Sequence, residues 1–269
     1  MEVSPTDVEE AGKRPLGDAC ARGSASFARA AGRREFLRRS AAAGTGAALF
    51  GISPRPAFAI SGSGLLAPEE DVTANEDLMR EHGVLKRALL IYREGIRRLD
   101  AHEEIQPALL AATARLIRRF VEEYHEKQEE DYIFPRFEKS GHEVELVRTL
   151  RLQHQRGRQR TAAILHLANG AALKNADHRT QLVGHMKAFI RMYEPHEARE
   201  DTVLFPAFQK LVSSNEYDSI GEEMERNERR TFGGDGFDMA VDEVAELERK
   251  LGIYDLAQFT PAALGPAPT

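Results

Sequence analysis

The sequence holds a single cysteine, Cys20, close to its start. One thiol excludes an internal disulfide and a thiolate metal cage. Strand-type alternation is missing from about Thr73 onward, which excludes a sandwich or barrel. No Gly-rich phosphate loop, Ser-His-Asp arrangement or dinucleotide fingerprint occurs, so phosphoryl and hydride transfer have no support. Basic residues are outnumbered, with 37 Lys and Arg against 43 Asp and Glu and a net charge of −6. That balance argues against nucleic acid or an anionic membrane surface as a partner. The one notable apolar stretch, residues 41–52, is too short and too rich in small residues to span a membrane.

What precedes and follows that stretch gives it another meaning. Gly32-Arg33-Arg34-Glu35-Phe36-Leu37-Arg38 reads as a twin-arginine export signal, followed by the apolar stretch, Pro54 and the small-x-small pattern Ala57-Phe58-Ala59. Bare Arg-Arg pairs are common, but four signal elements in this order favour export to the periplasm or another extracytoplasmic space. Cleavage after residue 59 removes Cys20, nine basic and six acidic residues. The remaining 28 Lys and Arg against 37 Asp and Glu give a mature charge of −9.

The expected organisation is a signal over 1–59, a linker over 60–72, a helical domain over 73–212 and a C-terminal helical extension over 213–269 with a disordered end. Apolar stripes at helical spacing define four long segments, near 73–100, 104–139, 143–168 and 177–212. Short links between them predict antiparallel neighbours, so the fold class is all-α, an up-down-up-down four-helix bundle. In the extension, residues 237–251 read as one further amphipathic helix after a Gly-rich turn at 233–236.

Two segments 71 residues apart repeat one chemical pattern. His125, Glu129, Phe134, Pro135, Phe137 and Lys139 align with His196, Glu200, Phe205, Pro206, Phe208 and Lys210. His and Glu spaced i, i+4 share a helix face and reach one point. The repeat extends backwards to His82 and His154, 72 residues apart, so each long segment carries one His in its apolar stripe. A lone core His is more often a satisfied structural residue than a ligand. Four at matching places, with two carboxylates, are most economically satisfied by metal ions. Imidazole and carboxylate without sulfur suit Fe, Mn or Zn, and two carboxylates between helices suit a dinuclear pair.

These motifs resemble the hemerythrin family, in its bacterial HHE cation-binding branch. The resemblance implies two non-haem iron ions bridged by carboxylates, which bind oxygen or related small molecules. It implies His82 and His125 on one iron, His154 and His196 on the other, and Glu129 and Glu200 as bridges. Oxygen-carrying hemerythrins have a fifth His four residues after the ligand of the third helix, and here that position is Arg158. Glu126 and Glu197 are candidates to replace it. The resulting expectation is binding or sensing of oxygen, nitric oxide or peroxide. An oxidoreductase acting on the same molecules, or an iron-handling bundle, are the alternatives. No docking site for an electron donor is legible. Pro135 and Pro206 are expected to end or bend their helices, Pro195 to bend its own, and His185 to stand outside the centre. Tyr132, Phe134, Phe137, Phe189, Phe205 and Phe208 are expected to wall the site.

Overall fold

The computed structural model describes residues 72–263, and every regular element among them is helical. The expected export signal, the linker as far as residue 71 and the chain end after residue 263 lie outside the described residues. Helix α1 spans Ala74–Asp100 and α2 runs unbroken over 107–140. Helix α3 spans Val144–Leu167, a short α4 covers Gly170–Lys174, and α5 runs over 176–211. Helices α6, Ser214–Phe232, and α7, Gly236–Leu251, complete the chain with a final turn at Leu256–Phe259. No helix among the described residues is long and apolar enough to cross a membrane.

Local chemistry sets the ends. The Thr73 side chain accepts from the Glu76 amide while the Glu76 carboxylate accepts from the Thr73 amide, a reciprocal cap that starts α1. Gly141, at φ 76°, closes α2 in the left-handed region that glycine enters without steric cost. Asn175 and Ser213 cap α5 and α6 through their side-chain oxygens.

Helices α1, α2, α3 and α5 pack as the four-helix bundle, with α5 lying against both α1 and α3. Two apolar clusters fill it. One gathers Leu85, Tyr92, Leu110, Phe120, Ile164, Met186 and Phe189, and α7 adds Val244, Leu247 and Leu251 to it. The other gathers Leu78, Phe134, Phe137, Leu150, Leu204, Phe205 and Phe208, with Tyr217 and Ile220 of α6. Along every bundle helix the expected ligand falls between these clusters: His82 between Leu78 and Leu85, His154 between Leu150 and Ile164. A polar layer therefore crosses an otherwise apolar core.

The extension belongs to the same fold. Helix α7 packs on α1 and α2, where Arg87 holds Glu248 at 2.5 Å and Arg98 donates to the Leu251 carbonyl at 2.7 Å. The Asn75 amide donates to Tyr217 of α6 at 3.1 Å. Within the extension, the strongly charged segment Ser214–Phe232 is a full helix, because its few apolar residues, Tyr217, Ile220 and Met224, share one buried face.

Of the expected end or bend, Pro135 and Pro206 do not end their helices. Each follows directly on a stretch of π-helix, Glu129–Ile133 and Glu200–Leu204, and the chain continues to Ser140 and Leu211. A proline removes an amide donor and crowds the carbonyl four residues back. The extra residue of a π-turn relieves that conflict and lets the helix run on. A longer π stretch, Ile117–His125, precedes the first of these. Pro195 is accommodated within Ala176–Arg199, one residue before His196.

Candidate metal centre

All six residues expected as ligands meet in the polar layer, and all are buried. His82 comes from α1, His125 and Glu129 from α2, His154 from α3, and His196 and Glu200 from α5. The ligand atoms of His82, His125 and Glu129 lie within 4.8 Å of one another, as do those of Glu129, His154, His196 and Glu200. Glu129 reaches His125 at 3.8 Å with one oxygen and His154 at 3.3 Å with the other. Glu200 does the same between His196 at 3.1 Å and His82 at 3.4 Å. Each carboxylate thus spans both histidine pairs.

The donor set lacks hydrogen bonds. None of the four carboxylate oxygens of Glu129 and Glu200, nor Nε2 of His154, has a hydrogen bond of good geometry, although all are buried. Nε2 of His82 and Nε2 of His125 face each other at 3.0 Å. Leaving buried acceptors unpaired costs about 1–3 kcal/mol each, and more for charged groups. Cations between these atoms satisfy all of them together, so the residues fit a metal pair.

Each imidazole is aimed from behind. Nδ1 of His82 donates to Asp201 at 2.7 Å, and Nδ1 of His125 to Glu81 at 2.8 Å. Nδ1 of His154 donates to Glu130 at 3.0 Å, and Nδ1 of His196 to Gln153 at 2.8 Å. With Nδ1 donating outward, every Nε2 faces the centre, the arrangement metal-binding imidazoles use once Nε2 is deprotonated. Phe205 stacks on His82 at 5.7 Å and Phe134 on His154 at 5.4 Å, closing the layer from one side. The π-turns that begin at Glu129 and Glu200 turn less per residue than an α-helix. Glu129 with Glu130, and Glu200 with Asp201, can therefore both face inward.

Sequence reasoning missed these four outer partners, yet their signal was present. Glu81 and Gln153 precede the ligands of α1 and α3 and are 72 residues apart; Glu130 and Asp201 follow the bridging carboxylates and are 71 apart. Lys86 and Arg158 obey the same offset, as do Glu126 and Glu197. Arg158 pairs with Glu126 and Glu130 at 2.8 Å each, and Lys86 lies 3.5 Å from Glu197 and 3.7 Å from Asp201. Arg158, at the position of the fifth His in oxygen carriers, is turned onto carboxylates. Glu126 is further held by the Tyr193 hydroxyl at 2.5 Å, so both of its oxygens have partners away from the centre. Gly157 makes room for that hydroxyl, which a side chain there would strike.

His185 is half-buried beside Arg160 at 3.0 Å, and His102, His142, His166 and His178 are exposed. Of the expected walls, Phe134 and Phe205 touch the ligands directly. Phe189 reaches the layer through Tyr193, at 4.3 Å between rings.

The electrostatics show what six buried ligands do without metal. Burial, then the charge of Glu200, pushes Glu129 well above the carboxylate range. Burial opposes ionisation of Glu200 too, but His196 and His82 outweigh it and hold Glu200 low. Burial also raises Glu126, to about 8, against the pull of Tyr193 and Arg158. In His82, burial acts to lower the pKa, but its hydrogen bond to Asp201 and the adjacent charge of Glu200 prevail and lift it to about 9. In His125, burial and the neighbouring His82 lower it.

These directions fix a pH dependence for the metal-free chain. Above the ordinary histidine value of 6.5, folded His82, Glu126 and Glu129 retain protons that the unfolded chain releases. A folded state that binds more protons loses stability as pH rises. Metal-free melting temperature therefore falls from pH 6.5 to 9, as calorimetry across that window will read. A flat or rising profile contradicts the charge states assigned here.

A helical bundle carrying a buried layer of histidines and carboxylates defines the class: a metal-binding four-helix protein. The hemerythrin HHE cation-binding domain model matches residues 73–208 and again 145–251, and the chain belongs to that family. Two relatives, uncharacterized proteins of Mycobacterium tuberculosis and Mycobacterium bovis, are each 49% identical over 235 residues, covering 87% of this chain and 92% of theirs. No solved structure matches the chain.

Proposed function

We propose that this is an exported hemerythrin-like protein whose four histidines and two bridging glutamates hold two non-haem iron ions. Its function in this reading is to bind or sense oxygen, nitric oxide or peroxide. The observation that carries it is the convergence of Glu129 and Glu200 oxygens, buried and without hydrogen bonds, with imidazole nitrogens. Iron held this way supplies exchangeable coordination positions and redox change between its two common charge states.

The protein's own groups prepare the place for that chemistry. Glu81, Glu130, Gln153 and Asp201 set each imidazole's tautomer and tilt. Phe134 and Phe205 keep water from the layer, and Tyr193 with Arg158 holds Glu126 off it. Export rests on the Arg33-Arg34 signal, and a route that carries folded proteins allows metal to be loaded beforehand.

A specific feature favours a second reading, an oxidoreductase acting on peroxide, nitric oxide or oxygen. Arg158 cannot coordinate, so the His154 and His196 position has one imidazole fewer than an oxygen carrier and more room for reactive ligands. One experiment separates the readings: the visible spectrum of the iron-loaded, reduced protein as oxygen is admitted and withdrawn. A band that appears and fades supports reversible binding. Rapid conversion to a lasting oxidised spectrum supports redox chemistry or sensing. A protein that holds no iron rejects both.

A further inference from the structure

The sequence repeat that relates the two halves of the layer fails at one chemically important place. Behind the His82 and His125 pair stand two carboxylates, Asp201 and Glu81. Behind the His154 and His196 pair stand one carboxylate, Glu130, and one neutral amide, Gln153. A carboxylate accepting from Nδ1 draws the proton outward and pushes electron density to Nε2, making the imidazole a stronger donor. An amide oxygen does so more weakly.

Neighbouring cations enlarge the difference in the same direction. The Glu130 oxygen that faces His154 is shared with Arg158 at 2.8 Å, and the other oxygen with Lys127 at 3.2 Å. On the opposite side Lys86 is 3.7 Å from the Asp201 oxygen that does not face His82. Asp201 therefore keeps more of its charge for its imidazole than Glu130 does.

The geometry points to two inequivalent metal positions, a tight one at His82 and His125 and a weaker, more easily vacated one at His154 and His196, with Glu81 and Gln153 as the positioning residues that set the difference. The inference rests on the metal-centre reading above. It predicts stepwise loading, with the weaker position the one that lies beside Arg158.

The test is a titration of the metal-free full chain with cobalt(II) under nitrogen, against a competing chelator, followed by visible absorption. Outer partners of this kind change metal affinity by about 10- to 100-fold, so the unmodified chain should bind in two steps separated by about that factor. Glu81→Gln should weaken the tight step and narrow the separation, leaving the part set by the cations on Glu130. Gln153→Glu should strengthen the weaker step and narrow it from the other side. These substitutions are close to isosteric, and a purely structural effect would move metal-free melting without changing the ratio of the two affinities. Two steps whose separation survives both substitutions undiminished would assign it to repulsion between the ions and overturn the inference, as would a single step in the unmodified chain. A chain that takes up no cobalt rejects the metal centre itself, a separate outcome.

Discussion

Stripping metal from the loaded protein with a chelator lowers its melting temperature by roughly 8–16 °C. An ion present at about a thousand times its Kd stabilises the folded state by about 4 kcal/mol, and each kcal/mol moves melting by about 2–4 °C in a domain of this size. The effect is large because the six ligands come from four different helices and are brought together only by folding. In the unfolded chain the sites at His82, His125, His154 and His196 do not exist. Calorimetry of chelated and reconstituted protein, with metal content measured alongside, reads the difference. Two bound ions with no change in melting would place them outside the polar layer.

Replacing Glu129 by leucine should have opposite signs with and without metal. In the metal-free chain Glu129 is buried with no hydrogen bond to either oxygen, and burial and Glu200 keep it protonated. Exchanging such a group for an apolar one of similar size removes the cost of an unpaired buried polar group, about 1–3 kcal/mol. Glu129→Leu therefore melts later than the parent when both are stripped. In the presence of metal the order reverses, because the variant loses one bridging carboxylate and with it the stabilisation from binding. Glu200→Leu provides the contrast. Glu200 is the counter-charge of His82 at 3.4 Å and also faces His196 at 3.1 Å, so its loss lowers stability even without metal. If stripped Glu129→Leu proves less stable than its parent, Glu129 is a structural residue.

Both results express one trade. The chain buries titratable side chains at the centre of its bundle, where leucines would pack better, and the polar layer separates two apolar clusters that each pack with aromatic residues. A core built this way is stable chiefly when its ligands are shared with cations. The docking of α7 onto α1 and α2, through Val244, Leu247 and Leu251, adds apolar burial on the cluster farther from Phe134 and Phe205.

Much of this was legible in the residues. Spacing alone placed the four long helices, because an apolar stripe with a 3.6-residue period has one way to be buried. The repeated His and Glu motifs marked the residues that converge in the polar layer for the same reason: i, i+4 residues share a face whatever surrounds them. Three things were beyond reach of spacing. Pro135 and Pro206 read as ends or bends of their helices, since a sequence does not announce that a π-turn will absorb the missing donor. The pairings of Glu81 with His125 and Asp201 with His82 join residues 44 and 119 positions apart, and only the rotation of each helix about its axis decides them. Arg158 read as a lost ligand; the packing of α3 against α2 turned it into the partner of Glu126 and Glu130. Periodicity is a local property and survives in one dimension, so helices and ligand faces follow from the chain itself. Which acceptor stands behind which imidazole depends on distances between helices, and tertiary packing alone determines those.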